Sequence, residues 1–168
     1  DAMAVAARKY YKAAEEMRLR VDALLGGPAA SKGLLAGTFH SVANRFLRRY
    51  ATLIGYERNY SILDETDARE LIKAASAECV ARSAERKFPT AAVVQSVLSM
   101  AFNRNLELGA LLQREYPWLE EFLGELEAIQ ALYRRKKKAN NAMDFDDLLD
   151  QWHALLAGHT ELELANRV

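Results

Sequence analysis

Gly37-Thr38-Phe39-His40-Ser41-Val42-Ala43-Asn44-Arg45-Phe46-Leu47-Arg48-Arg49-Tyr50 opens with a glycine, two hydroxyl residues and an imidazole, then continues with apolar and basic residues at helical spacing. The stretch predicts a helix running to about Ile54, where Gly55 offers a left-handed exit. Ser41, Arg45, Arg48, Arg49 and Thr52 are expected to share one face, and Val42, Phe46, Leu53 and Ile54 to turn inward. The first N–H groups of a helix lack internal partners and carry the positive end of its dipole, so this start suits an anion such as phosphate. An ordinary surface helix with a solvated basic face and a capping hydroxyl satisfies the same pattern.

Working outward, the same periodicity recurs on both sides. Upstream, residues 3–25 read as a helix with Val21, Leu24 and Leu25 on its apolar stripe, stopped by Gly26-Gly27-Pro28. Downstream, Tyr60-Ser61-Ile62-Leu63 is short and suits an extended piece. Asp64-Glu65-Thr66-Asp67 then supplies acceptors for a helix whose inward residues are Leu71, Ile72, Ala75 and Cys79. Arg82 to Lys87 forms a charged connector, and Pro89-Thr90 signals the next start, with Val93, Val94, Val97, Leu98, Ala101 and Phe102 facing the core. Ala110 to Tyr116 suits a short helix, and Pro117 begins the longest one, with Trp118, Leu119, Phe122, Leu126, Ile129 and Tyr133 on one stripe and an end near Ala139. Asn140 to Met143 breaks the pattern. Asp144-Phe145-Asp146-Asp147 opens a helix through Leu148, Trp152, Leu155 and Leu156, and Thr160 with Glu163 forms a capping box for a last one. The fold expected is all-α, an irregular multi-helix domain with one or two very short extended pieces.

Composition narrows the function classes. A chain of 168 residues with 51% hydrophobic content can bury a core of its own. Basic and acidic residues both number 23, so attraction to nucleic acid must come from local segregation of charge. Cys79 stands alone and no signal peptide or apolar run of spanning length is seen, which fits a cytoplasmic protein with no membrane partner. The histidines His40, His153 and His159 show no zinc spacing with it, and no glycine-rich run ends in Gly-Lys-Ser/Thr, so no cofactor site is expected within the chain.

Three clusters compete as sites. Asp144, Asp146 and Asp147 invite a divalent-cation reading, but Asp144 is placed to accept the N–H groups of the first turn and its neighbours sit where the dipole favours negative charge, so capping is preferred. Arg134 to Lys138 suits phosphate, yet also a solvated helix end. His40 has no serine and carboxylate ordered around it, and Trp118 and Trp152 lie on apolar stripes as core anchors.

Read jointly, these motifs resemble the UvrD/Rep/PcrA-type superfamily 1 DNA helicases, in the part lying between the two nucleotide-binding motifs. Lys12-Ala13-Ala14-Glu15-Glu16-Met17 looks like the end of motif Ia, Gly37 to Ser41 with Arg45, Leu47 and Arg48 like motif Ib, and Met143-Asp144-Phe145-Asp146-Asp147-Leu148 like motif Id. Asn59 to Asp64 with Thr66-Asp67 continues in the family manner. Arg8-Lys9-Tyr10-Tyr11 departs from the strand that the family places there, and Phe102 stands where relatives carry a lysine.

In that family, motor domains hydrolyse ATP and move 3′ to 5′ along single-stranded DNA, and a helical insertion called 1B rides beside the DNA. The resemblance implies a division into residues 1–36, a motif Ia-like helix and loop; 37–143, a 1B-like helical domain; and 144–168, returning helices of the first motor domain. It implies nucleic-acid contacts from Lys12, Thr38, Phe39, His40, Ser41 and Arg45. The expected partners are single-stranded DNA, duplex junctions and the remaining helicase domains. The Walker A and Asp-Glu motifs that hold ATP and magnesium in the parent enzyme are not among these residues, so the chain alone is expected to be inactive as an ATPase. A non-enzymatic helical module for protein–protein interaction is the alternative.

Overall fold

The structure, a computed structural model, describes residues 15–16, 19–24, 37–80 and 87–158. Lys12, Arg8 to Tyr11, Gly26 to Pro28 and the Thr160–Glu163 capping box lie outside the described residues. Residues 19–24 are helical as expected, but Leu24 is 84% exposed and faces solvent instead of a core.

Three of the later helices begin where a side-chain oxygen, of Thr38, Asp64 or Thr90, accepts an N–H group that has no intrahelical partner. Helix α1, Phe39–Tyr50, is capped by Thr38 and runs into a 3-10 turn, Ala51–Ile54. Gly55 ends that turn with φ +70, a conformation that carries no steric cost without a Cβ. Helix α2, Glu65–Cys79, starts at Asp64, whose carboxylate accepts the N–H groups of Thr66 and Asp67 at 2.8 and 2.9 Å. Helix α3, Ala91–Asn103, starts at Thr90 in the same way, and α4 spans Leu108–Glu115. Pro117 opens a 3-10 helix to Phe122, α5 follows as Leu123–Ala139, and α6 spans Phe145–Gly158.

One continuous helix was expected from Pro117 to Ala139. Its first six residues instead take the tighter 3-10 winding. Leu119 and Phe122 are three apart, so a three-residue repeat stacks both on the buried side and turns Trp118 outward to 60% exposure. Trp118 is therefore not the core anchor that its place on the stripe suggested.

Two strands of two residues complete the fold. Ser61–Ile62 (β1) pairs in parallel with Ala142–Met143 (β2), so the helices between them form the crossover that a parallel pair requires. Buried side chains fall into two clusters. The larger takes Ile72 from α2, Val94 and Val97 from α3, Leu111 from α4, and Leu126 and Ile129 from α5. The smaller joins Ala43, Leu47 and Tyr50 of α1 to Tyr60, Met143, Leu148 and Leu155. The chain thus leaves the smaller core after β1, builds the larger one, and returns at β2. The fold is mostly helical throughout. Among the described residues, no helix is long and apolar enough to cross a membrane.

Candidate nucleic-acid interface

Thr38 sits in extended backbone, φ −68 and ψ 156, with its hydroxyl oxygen turned back to accept the Ser41 N–H at 3.3 Å. Ser41 answers by donating its own hydroxyl to the Thr38 carbonyl at 2.9 Å. The first intrahelical bond runs from the Val42 N–H to the same carbonyl, so the N–H groups of Phe39 and His40 lie ahead of the ladder. Because Thr38 uses an oxygen lone pair for the cap, its O–H is still a donor. A Cβ at Gly37 would stand 2.3 Å from the Ser41 hydroxyl oxygen, so a larger residue there would turn that hydroxyl away from the Thr38 carbonyl. Phe39 is 77% exposed and no acidic residue occupies the first turn. The helix start is open to solvent, polar and electropositive.

The faces of α1 differ from the pattern first read. Ala43, Leu47, Tyr50 and Ala51 are the buried residues, one position on from the expected Val42 and Phe46, which are only half-buried along with Leu53 and Ile54. Small Ala43 and Ala51 let α1 approach its neighbours closely, and Asn44 is held by the Tyr60 hydroxyl, which donates to its side-chain oxygen at 2.6 Å. Arg45 and Arg49 are exposed as expected. Arg48 is not part of a free basic face: it donates to the Arg58 carbonyl at 2.8 Å and its guanidinium lies 3.9 Å over the Tyr60 ring.

Two residues near this end escaped the sequence reading. Phe145, the first residue of α6, meets His40 edge to face with ring centroids 5.5 Å apart, yet is itself 49% exposed. The first turns of α1 and α6 therefore lie side by side. Lys137, the second, lies inside the basic run yet is 4% exposed, with its ammonium 2.5 Å from both Asp144 Oδ2 and Asp147 Oδ2. Its signal was present, since 137 follows Tyr133 by four on the same stripe as Leu126 and Ile129.

The rest of the basic run is also partly spoken for. Lys136 pairs with Glu78 at 2.6 Å, and Lys138 donates to the Ile54 carbonyl at 2.8 Å while lying 3.4 Å over the Tyr56 ring. Arg134 and Arg135 are exposed.

Asp144 and Asp147 cap each other: the Asp147 N–H reaches Asp144 Oδ1 at 2.8 Å and the Asp144 N–H reaches Asp147 Oδ2 at 3.0 Å. The Tyr133 hydroxyl also donates to Asp144 Oδ2, at 2.8 Å. Burial works to raise Asp144, but the Lys137 ammonium and these hydrogen bonds outweigh it and hold its carboxyl below the usual value. Burial and the neighbouring Asp144 charge push Asp147 up. Burial, then the carboxylates of Asp147, Asp144 and Asp150, push the Tyr56 phenol up to about 12. Asp146 accepts from the Ser99 hydroxyl at 2.7 Å and the Asn103 amide at 3.4 Å. With Lys137 seated between two of the carboxylates and Asp146 turned to α3, the cluster is a structural seam, and among the described residues no His, Cys, Asp and Glu group could hold a metal ion.

Compared with known proteins, residues 10–167 match the family described as UvrD/REP helicase N-terminal domain. The chain is 34% identical over 162 residues to ATP-dependent DNA helicase srs2 of Schizosaccharomyces pombe, a match covering 86% of this chain and 18% of that protein. ATP-dependent DNA helicase PcrA of Staphylococcus epidermidis is 33% identical over 148 residues, and PcrA of Staphylococcus aureus 34% over 139, each covering 82% of this chain and 18% of the relative. The chain thus spans about a fifth of the length of these curated relatives.

Proposed function

The chain belongs to the UvrD/REP helicase family, and from that premise we propose that it is the helical segment through which an ATP-dependent 3′ to 5′ DNA helicase touches single-stranded DNA. The observation that carries this reading is the exposed start of α1, where Thr38, Phe39 and His40 offer a hydroxyl donor, leading N–H groups and rings in one place. Phosphate oxygens accept from the first two, and Arg45, one turn past Ser41 on the exposed side of the helix, extends the contact along the backbone, while Ser41 belongs to the set as the residue whose hydroxyl bond to the Thr38 carbonyl holds the helix start in shape. Lys12 belongs to the same proposed set. In this reading residues 37–143, with the larger core of α2 to α5, correspond to the 1B insertion beside the DNA, and residues 144–168, whose α6 packs with α1 in the smaller core, to the returning part of the first motor domain. ATP and magnesium are held elsewhere in the parent enzyme, whose remaining domains are the chain's neighbours, and duplex junctions are further DNA partners. This chain's own contribution is to grip the strand.

The test is binding of oligo-thymidylate by the 168-residue chain as salt is varied. Replacing Thr38 with Asp keeps an acceptor for the Ser41 N–H but sets a carboxylate against phosphate, so the fold should survive and binding should fall at least about tenfold, as 1.4 kcal/mol of lost contact would give. Arg45→Ala should lower the slope of log affinity against log salt by about 0.7, the increment for one phosphate contact on a single strand. Unchanged affinity and slope in both variants would remove the interface from the start of α1.

A further inference from the structure

An indole has a large apolar face to bury, and Trp118 leaves most of its own in water. Its pose is nonetheless anchored from both sides. Pro117 sets the backbone ahead of it, and the Leu119 N–H closes a turn onto the Tyr116 carbonyl at 2.8 Å. Leu119 and Phe122 then pin the 3-10 helix to the larger core, where Phe122 meets Phe88 edge to face with ring centroids 5.3 Å apart. The exposed ring is thus carried by a turn whose inner side is packed.

The winding decides what stands beside it. Residues three apart eclipse in a 3-10 helix, so Glu121 falls in line with Trp118 on the outer side, and Glu120 on the adjoining row is exposed as well. From Gln113 to Ala128 the chain holds five glutamates against one arginine, Arg114. The guanidiniums of Arg104 and Arg114 both approach Glu115, so they offset that carboxylate and not the two that follow the ring. We propose that Trp118, with Glu120 and Glu121, is a docking point for an arginine-bearing segment of a second protein, whose guanidinium lies on the indole face and donates to the carboxylates. A planar guanidinium suits both tasks, since it stacks on an aromatic face and presents a fork of N–H donors to a carboxylate. A carboxylate accepts from several donors, so the contacts that Glu121 makes within the chain leave it able to take another. Charge excludes the obvious rival: a nucleobase could stack on the indole, but its phosphates would be set against the glutamates. One ring on one turn is a point of contact, which suits an extended segment better than a folded face. The proposal is independent of the α1 reading, because Trp118 adjoins the larger core and α1 packs in the smaller.

The test is calorimetry of the 168-residue chain with an arginine–glycine repeat peptide, and with a glutamine–glycine repeat as the uncharged control. The arginine peptide should bind and the glutamine peptide should not. Trp118→Leu changes a residue that faces outward, so circular dichroism and thermal midpoint should stay those of the unaltered chain. Its affinity for the arginine peptide should fall about two- to fivefold, the worth of a cation–π contact at an exposed site. Glu120→Gln combined with Glu121→Gln should weaken binding and flatten its dependence on salt. No binding of the arginine peptide at low salt would overturn the proposal, and so would full affinity in Trp118→Leu, which would leave only general attraction between charges. Three other occupants have their own signatures, and each would overturn it too. Binding of oligo-thymidylate that Trp118→Leu weakens would give the ring to a nucleobase. Self-association in sedimentation that Trp118→Leu abolishes would give it to a second copy of the chain. Peptide binding by the chain that is lost in the full-length helicase would give it to the parent's own domains.

Discussion

Lys137 carries more of the fold than any exposed member of its basic run. A cation buried between two carboxylates costs desolvation, and the geometry repays it through two contacts of 2.5 Å and the Tyr133 hydroxyl bond to the same Asp144. Lys137→Met keeps the volume but strands both carboxylates, so we expect a loss of about 3–5 kcal/mol at neutral pH by chemical denaturation. The pH dependence of that loss has a definite sign. In the unaltered chain, Asp144 is held below its usual value, so its stabilising share is present above the ordinary carboxylate range and lost as pH falls through the lowered value. Asp147 runs the other way, its raised carboxyl taking a proton first as the native protein is acidified. Without Lys137 both carboxyls rise above their unfolded values, the native state binds more protons than the unfolded one, and the deficit should narrow between about pH 7 and pH 5. A deficit constant across that window would show that the loss comes from packing and not from charge. The five consecutive basic residues hid this role, because a charge run resembles a solvated helix end. The apolar stripe of α5, continued by four from Tyr133, was the legible clue.

At the scale of the helix, signals that act locally were readable and those set by partners were not. Gly37, Thr38 and Gly55 punctuate α1 as their letters suggested, and Asp64 and Thr90 do the same for α2 and α3. Such caps depend on a few neighbouring atoms. The inward face of α1, by contrast, was read one position early, since the apolar residues are too evenly spread to fix it and the close approach allowed by Ala43 decides. The 3-10 stretch over Pro117–Phe122 was hidden for a related reason: spacing by three, as between Leu119 and Phe122, suits both windings, so the letters do not choose between them. The cap of α1 can be weighed apart from any ligand. Thr38→Ala should cost about 1 kcal/mol, a fall of about 2–4 °C in thermal midpoint, while Thr38→Ser should leave it unchanged. A midpoint unmoved by Thr38→Ala would mean that the start of α1 contributes nothing to stability, and that Thr38 matters only to what binds there.

Across the whole molecule, two apolar cores meet along a polar seam. Lys137 and Tyr133 reach from α5 to the head of α6, Ser99 reaches Asp146, Lys138 reaches the Ile54 carbonyl, and Asn141 accepts the Glu57 N–H at 2.9 Å. The extended piece within Tyr60 to Leu63 and the capping role of Asp144 were legible in sequence, but the strand pairing and the seam were not, because they join residues that are far apart along the chain. Its energetics can be read because the chain has two tryptophans: Trp118 is exposed but adjoins Leu119, a buried member of the larger core, and Trp152 packs against the smaller. Trp118→Phe leaves Trp152 to report on α1 and α6, and Trp152→Phe leaves Trp118 to report on the helical bundle. Among the described residues the smaller core has eight buried members to the sixteen of the larger, so it depends more on the seam for its stability. With Lys137 in place, the two reporters should unfold at one denaturant concentration, as a cooperative unit does. In the Lys137→Met background the Trp152 transition should move to lower denaturant than that of Trp118, because the smaller core loses the contacts that tie it to the bundle. Coincident transitions in that background would mean that the parallel strand pair and the remaining bridges suffice to couple the cores, and the dominant place given to the buried lysine would have to be withdrawn.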